Sequence, residues 1–460
     1  MKQKKYCSML ALAALLSCAG CEDFVQVDMP ASQLTAAAVF QSAATADAAL
    51  ANIYAGIRDS GPMAGTQMGI ASLMGGYADE LDYYGMAGAS PELFFTNTLI
   101  PSDGQVAALW SSSYSQIYAA NAVIEGIGST SPIPAATKDR IRGEALFLRA
   151  WLHFYLAGLY GDVPYVTSTD YAVNARVARL PLAEVYARIA ADLEQALPLL
   201  PENDPAGGRA KPSRWAAKAM LAKTFLQAGD WADAADAASA VLNNTAQFGL
   251  NPDLLQVFRN TSAETVWQLR PAAASTNTLE ASTFIFLTGP PPNMALATGF
   301  MDAFEPGDAR RDSWTKPVAA GAQTWYHPYK YRLQGITAAA SENSIMLRAA
   351  EILLVRAEAR ARQGELTGAR EDIDAVRLRA GLAGTAAATQ QEILEAVLQE
   401  RRVELFSEAG HRFFDLKRFG AIDAVLGAAK PNWEPSDALL PIPETELQRN
   451  PSLGAQNPGY

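Results

Sequence analysis

SRWAAKAMLAKTFLQAGDWADAADAASAVL, residues 213–242, decides the fold, because MLRAAEILLVRAEARARQGELTGAREDIDAVRL, residues 346–378, follows the same plan. In the first stretch Ala222 stands seven before Gly229, Ala234 five after it and Val241 twelve after it. In the second, Gly364 has Ala357, Ala369 and Val376 at the same offsets. A glycine between two apolar-periodic runs lets one helix turn sharply into the next. Small residues at fixed offsets then let the two helices approach closely. That is the logic of tetratricopeptide-type helix pairs. The dipeptides Gly229-Asp230 and Gly364-Glu365 add a shared turn chemistry.

Outward from this pair, helical periodicity covers 43–58 and 106–127, the latter through Leu109, Trp110, Ile117, Ala120 and Ile124. A strong amphipathic helix is predicted over 138–159, stopped by Gly161 and Pro164. Another runs from about 181 to 197, with Pro181 suited to a first turn, and a last one spans 390–408. The stretch 59–105, rich in Gly, Ser and Pro, reads as a long ordered loop region, and such loops are usually functional. Residues 245–340 break the helical rhythm. Thr265-Val266-Trp267-Gln268-Leu269 and Thr283-Phe284-Ile285-Phe286-Leu287 read as short strands, and Pro290-Pro291-Pro292 forbids regular structure. The expected fold is mainly α: a tetratricopeptide-like helix-pair scaffold with a large irregular, loop-rich insertion and a few short strands. One domain is expected over 43–460. Its scaffold lies mainly in 43–58, 106–244 and 341–425, and its loop-rich, ligand-binding parts in 59–105 and 245–340.

The three cysteines, Cys7, Cys18 and Cys21, all fall at the beginning of the chain. Lys2, Lys4 and Lys5 precede an apolar run from Met9 to Leu16, and Ala19-Gly20 stand before Cys21. This predicts a secretory signal over 1–20 with a processing site. Cleavage before Cys21 leaves one terminal thiol, which cannot staple the chain to itself. Acylation of Cys21 would anchor the protein to a membrane, with 21–42 as tether. Cys18 is the alternative acceptor, and plain secretion with a free cysteine is the other reading. Charged residues make up 18% of the chain and hydrophobic ones 49%, as in ordinary globular proteins. The formal net charge is −11, and −14 without residues 1–20. Such a surface repels phosphate backbones, which argues against nucleic acid as a partner.

Several segments together resemble the SusD/RagB family of outer-membrane nutrient-binding lipoproteins from Bacteroidetes-type bacteria. They begin with Cys21-Glu22-Asp23-Phe24 and Trp110 through Asn121-Ala122-Val123-Ile124. The most specific is Arg142-Gly143-Glu144-Ala145-Leu146-Phe147-Leu148-Arg149-Ala150 followed by Leu159-Tyr160-Gly161-Asp162-Val163-Pro164. Arg214-Trp215-Ala216-Ala217-Lys218-Ala219, Gly307-Asp308-Ala309-Arg310-Arg311 and Glu400-Arg401-Arg402-Val403-Glu404-Leu405 follow. Leu440-Pro441-Ile442-Pro443 and Gln456-Asn457-Pro458-Gly459-Tyr460 close the series. The resemblance implies a lipid-anchored protein of the outer membrane, facing the cell exterior, with Glu22 and Asp23 as the surface-export signal. It also implies a SusC-like TonB-dependent outer-membrane transporter as partner, to which captured oligosaccharide is delivered, and no bond-breaking. The family includes peptide-binding members, so a peptide ligand stays open, as does a scaffold role within the transporter complex.

A saccharide site needs flat apolar rings for the C–H faces of the sugar and planar polar groups for its hydroxyls. Two loop clusters supply them. One holds Tyr77, Asp79, Glu80, Asp82, Tyr83 and Tyr84, with Phe94, Phe95 and Asn97 nearby. The other holds Trp314, Trp325, Tyr326, His327, Tyr329 and Tyr331. Tyr77, Asp79, Asp82, Tyr83, Tyr84, Asn97, Trp314, Trp325 and Tyr326 are the expected ligand contacts. Tyr329 and Tyr331 are expected to pack beneath the loops. The charged residues of the helix motifs, Arg142, Glu144 and Arg149 and then Glu400 to Glu404, are expected to be structural: their spacings allow pairs along a helix, and paired charges fix helix packing. No phosphate loop, Gly-x-Ser-x-Gly or metal-spaced histidine pair occurs among His153, His327 and His411, so neither a cofactor nor a metal is expected. Asp79 with Asp82 is the carboxylate pair a hydrolase reading would use.

Overall fold

The computed structural model describes residues 39–128 and 132–460; the signal, Cys21 and the start of the tether lie outside the described residues. Seventeen α-helices and six short strands follow one another there. They are α1 (Ala43–Asp59), α2 (Ile70–Tyr77), β1 (Leu81–Tyr83), α3 (Ser90–Phe95), α4 (Gly104–Gly128), α5 (Ala135–Tyr160), α6 (Tyr171–Asn174), α7 (Leu182–Ala196), α8 (Arg214–Ala228) and α9 (Trp231–Leu242). The central stretch holds β2 (Thr265–Leu269), α10 (Leu279–Phe284), β3 (Met294–Leu296), α11 (Ala309–Trp314), β4 (Thr315–Ala320), β5 (Gln323–Pro328) and β6 (Ser344–Arg348). The chain ends with α12 (Ala349–Arg362), α13 (Leu366–Arg379), α14 (Gln390–Glu404), α15 (His411–Arg418), α16 (Ile422–Ala429) and α17 (Glu444–Arg449).

The long helices stack in sequence: α1 on α4, α4 on α5, α5 on α7, α7 on α8, α8 on α9, α9 on α12, α12 on α13. The two look-alike segments are therefore neighbours in space, and the whole of 245–340 is looped out between them. Gly229 ends α8 at φ 88°, and Gly364 follows α12 at φ 83°. Both occupy the left-handed region that only glycine enters without strain. Ala222, Ala234 and Val241, and their counterparts Ala357, Ala369 and Val376, are all fully buried. The matching offsets thus mark the faces on which these helices meet.

The insertion has its own core, in which Leu81, Phe258, Phe284, Met294, Phe300 and Trp314 pack with Val403 and Phe406 of the α14 region. Three two-stranded antiparallel sheets frame it: β1 with β3, β2 with β6, and β4 with β5. The β2–β6 pair ties both ends of the insertion to the scaffold.

The structure corrects the sequence reading in four places. Residues 59–105 are not one loop, since they contain α2, β1 and α3; Gly75 and Gly76 hide the helix of Ile70-Ala71-Ser72-Leu73-Met74 from propensity. Residues 283–287 are not a strand, because α10 runs to Phe284 and Ile285 to Leu287 carry no regular structure. The helix at 390 ends at Glu404 rather than 408. Most of the motif charges pair between elements, not along one helix. Arg149 binds Asp192 on α7, at 2.6 Å, and Arg401 binds Asp415 on α15, at 2.7 Å. Arg310 reaches Glu400 and Glu404, while Arg348 and Arg379 converge on Glu264 and Glu404. Only Glu144 keeps an intrahelical partner, Arg140. Buried charges of this kind must be matched to persist, and here they bolt β6, α11, α13 and α14 together. His153, buried between Arg149 O and the Val166 N–H, is a satisfied core residue.

Candidate functional site

Two aromatic stretches far apart in sequence meet at the insertion. In β1, Leu81, Asp82 and Tyr83 pair with Leu296, Ala295 and Met294. Just beyond it the Tyr84 N–H donates to Asn293 O at 2.6 Å. β5 packs against β3 from the far side and brings Trp325 up to Tyr84. Their ring centroids lie 6.5 Å apart and the planes are nearly perpendicular, at 89°. Tyr84 is 37% exposed, and Trp325 and Tyr83 are half-buried. Beneath Trp325 lies Gly289, where any Cβ would overlap the indole, so a bare backbone is needed for the ring to lie flat. Met86 and Leu287 add exposed apolar surface on the flanking loops. The Tyr83 hydroxyl donates to Met86 O at 3.1 Å. Burial, then the charge of Asp82, raises the Tyr84 phenol above its ordinary value, so it remains a neutral donor. Asp82 accepts from the Thr298 N–H and hydroxyl, at 2.8 and 3.1 Å, which fixes the strand pair at its edge.

Other expected contacts support this ridge from inside. Tyr77 is fully buried, with its hydroxyl donating to Asp437 O at 2.9 Å. Asn97 is buried at positive φ and donates to Tyr77 O. Asp79 is gripped by Arg412 at 2.7 Å and Arg402 at 3.1 Å. Burial alone would raise its carboxyl; the hydrogen bonds and charge of Arg412, with Arg402, outweigh this and hold it below the ordinary range. A carboxylate so neutralised does not reach a ligand. Glu80 beside it goes the other way: burial, then the charge of Asp79, pushes it up to about 8. Lys430 donates to Gly76 O and Phe95 O and fixes both ends of the 76–95 segment.

Trp314 is the clearest correction. It is 1% exposed, donates through Nε1 to Leu254 O at 3.0 Å and meets Phe258 edge-on at 5.5 Å. It is a core residue at the end of α11, and no ligand reaches it. Phe94 is likewise buried against Tyr77, and His327 under Phe286. Tyr331 is buried, as expected, and accepts the Ile345 N–H. Tyr329 is not: it stays half-buried between Lys316 and Arg332. Tyr326, half-buried, points to the face of the β4–β5 hairpin opposite Trp325. The sequence reading missed Met86, Leu287 and Gly289. The run Pro290-Pro291-Pro292 was the available signal, since it forbids helix or ladder pairing and leaves an irregular segment beside Trp325.

Helix pairs holding a ridge of accessible rings, with Asp79 paired to Arg402 and Arg412 beneath it, suit a binding surface. Comparison with known proteins agrees. A family model described as SusD-like, "Starch-binding associating with outer membrane", matches residues 32–226, and the SusD family model matches 312–460. SusD-like protein P2 of Formosa agariphila is 27% identical over 523 aligned positions, covering 99% of this chain and 100% of its own. A laminarin-binding SusD-like protein superposes with a TM-score of 0.77 at 24% identity, over 91% of this chain and 99% of that one. Surface glycan-binding protein A from Bacteroides fluxus superposes with a TM-score of 0.75 at 22% identity, over 91% and 100%. The chain belongs to the SusD/RagB family.

Proposed function

We propose that the protein is a non-catalytic, lipid-anchored receptor on the outer face of the outer membrane. It captures extracellular oligosaccharide and delivers it to a SusC-like TonB-dependent transporter. The observation that carries the reading is the meeting of Tyr84 and Trp325 in one accessible ridge. Rings set at right angles give a sugar chain one face to stack on and one edge to abut. Each such contact contributes about 1 kcal/mol beyond burial, so a site of two or three rings binds in the micromolar to millimolar range. The names of the laminarin-binding and surface glycan-binding neighbours support the ligand class. The family's outer-membrane description supports the location, and acylation of Cys21 supplies the anchor.

Calorimetric titration with neutral β- and α-glucan oligosaccharides tests this reading, with Trp325→Ala and Tyr84→Ala as controls. Binding by the wild type, weakened at least about tenfold in either variant, supports it. Capture of peptides alongside silence toward every sugar would reject it in favour of a peptide receptor.

A further inference from the structure

Against the same β4–β5 hairpin lies a cavity of 460 Å³, lined by Arg311, Asp312, Lys316, Arg332, Tyr326 and Tyr329. Its volume is in the range of small-ligand pockets. Its charge is what sets it apart. The chain as a whole carries −11, yet three cations and one carboxylate line this hollow. Lys316 Nζ and the Arg332 guanidinium both lie against the Tyr329 ring, 4.9 and 4.8 Å from its centroid.

Neither Lys316 nor Arg332 makes an ion pair among the described residues, whereas the nearby Arg310, Arg348 and Arg379 are all matched. The acids around them are committed elsewhere. Glu342 accepts the N–H groups of Arg332 and Leu333 and pairs with Arg259 at 3.4 Å. Asp253 accepts the Leu255 N–H. Asp312 stands in solvent 3.6 Å from Arg311. Arg332 is also held in place, since its Nη2 donates to Ser313 O. A fixed guanidinium with donors to spare recognises a planar or tetrahedral oxyanion.

We propose that this cavity binds an acidic substituent, a carboxylate or a sulfate ester, carried on a saccharide. The carrier rests on the reading under Proposed function; the charge rests on the cavity alone. Tyr326, Tyr329 and Pro317 supply the flat apolar wall a sugar ring needs, and the hairpin shared with Trp325 makes this pocket the neighbour of the stacking ridge.

The test titrates the whole protein with four probes: an oligogalacturonate, a sulfated galactan oligosaccharide, a neutral laminari-oligosaccharide and poly-glutamate. The proposal expects the oligogalacturonate or the sulfated sugar to bind more tightly than the neutral one, with affinity falling as salt rises. Which of the two wins identifies the oxyanion. The exposed pair Arg311→Glu and Lys316→Glu, made together, is expected to weaken the charged sugar at least about tenfold while leaving the neutral sugar and the unfolding midpoint unchanged. The milder pair Arg311→Ala and Lys316→Ala guards against misfolding of the first variant and is expected to act in the same direction. Equal affinity for charged and neutral sugars, with Trp325→Ala still abolishing the neutral one, would overturn this proposal and leave the receptor reading intact. Poly-glutamate binding as tightly as the acidic sugars would overturn the saccharide assignment. Silence toward every sugar would overturn both.

Discussion

Alanine at Trp314 and alanine at Trp325 should have opposite consequences, although both tryptophans sit in the same insertion, 245–340. Trp314 is enclosed by Phe258 and the insertion core, with Lys330, Arg348 and Arg379 around its ring at 5.1, 6.0 and 5.3 Å. Truncating a buried tryptophan costs about 3–5 kcal/mol. The Leu254 carbonyl also loses its donor, which adds about 1 kcal/mol. The expected loss for Trp314→Ala is therefore about 4–6 kcal/mol, a large share of the stability of any domain. Trp325 is only half-buried, so its truncation forfeits the burial of about 100 Å² of ring, or about 2.5 kcal/mol. Urea unfolding followed by tryptophan fluorescence reports the first quantity, and sugar titration of the folded variants reports the second. Trp314→Ala should unfold at markedly lower urea yet, while folded, bind sugar within about twofold of the wild type. Trp325→Ala should do the reverse. A Trp314→Ala protein of wild-type stability that has lost its ligand would refute the burial argument.

Three further perturbations probe what sets the ridge. Because Glu80 is raised to about 8 while an unfolded glutamate titrates near about 4.3, the folded state holds a proton the unfolded chain has released. The contribution of this group to stability thus declines as pH climbs through that window. Glu80→Gln keeps the neutral shape, so its stability relative to wild type should grow between pH 5 and pH 8.5; a pH-independent difference in thermal midpoints would contradict the assignment. Gly289→Ala places a methyl against the Trp325 indole and should tilt it, lowering sugar affinity severalfold with the urea midpoint nearly unchanged; unaltered affinity would show that the ring's pose is immaterial. Lys430→Met removes the donor to Gly76 O and Phe95 O. Hydrogen exchange should then quicken across 76–97 and not in α8 or α12, and uniform protection throughout would argue against this anchor.

The scaffold was legible because its signals are local. Ala222, Gly229 and Ala234 encode a turn and a close approach within a dozen residues, and the same holds at Ala357, Gly364 and Ala369. The site was only half legible because its geometry is not local. Tyr84 and Trp325 were both flagged, yet nothing in either neighbourhood states that β3 will lie between β1 and β5. Trp314 and Trp325 look alike in composition; what separates them is a core assembled from Leu254, Phe258 and Phe406, none adjacent in sequence. The acids of 77–84 suggested ligand contacts for the same reason. Arg402 and Arg412, the partners of Asp79, arrive from the far end of the chain, and Thr298, which holds Asp82, from the insertion.

The grip of that far end has an outcome for assembly. Lys430, Asn432 and Asp437 hold Gly76, Phe95, Thr96 and Tyr77 through hydrogen bonds that span most of the polypeptide. The segment that carries the stacking surface is thus fully held only once the closing residues are docked on it. A chain shortened after α15 would lose these contacts together with Ile422, Leu426, Trp433, Leu440 and Ile442 of the main core, and should lose stability along with its hold on sugar.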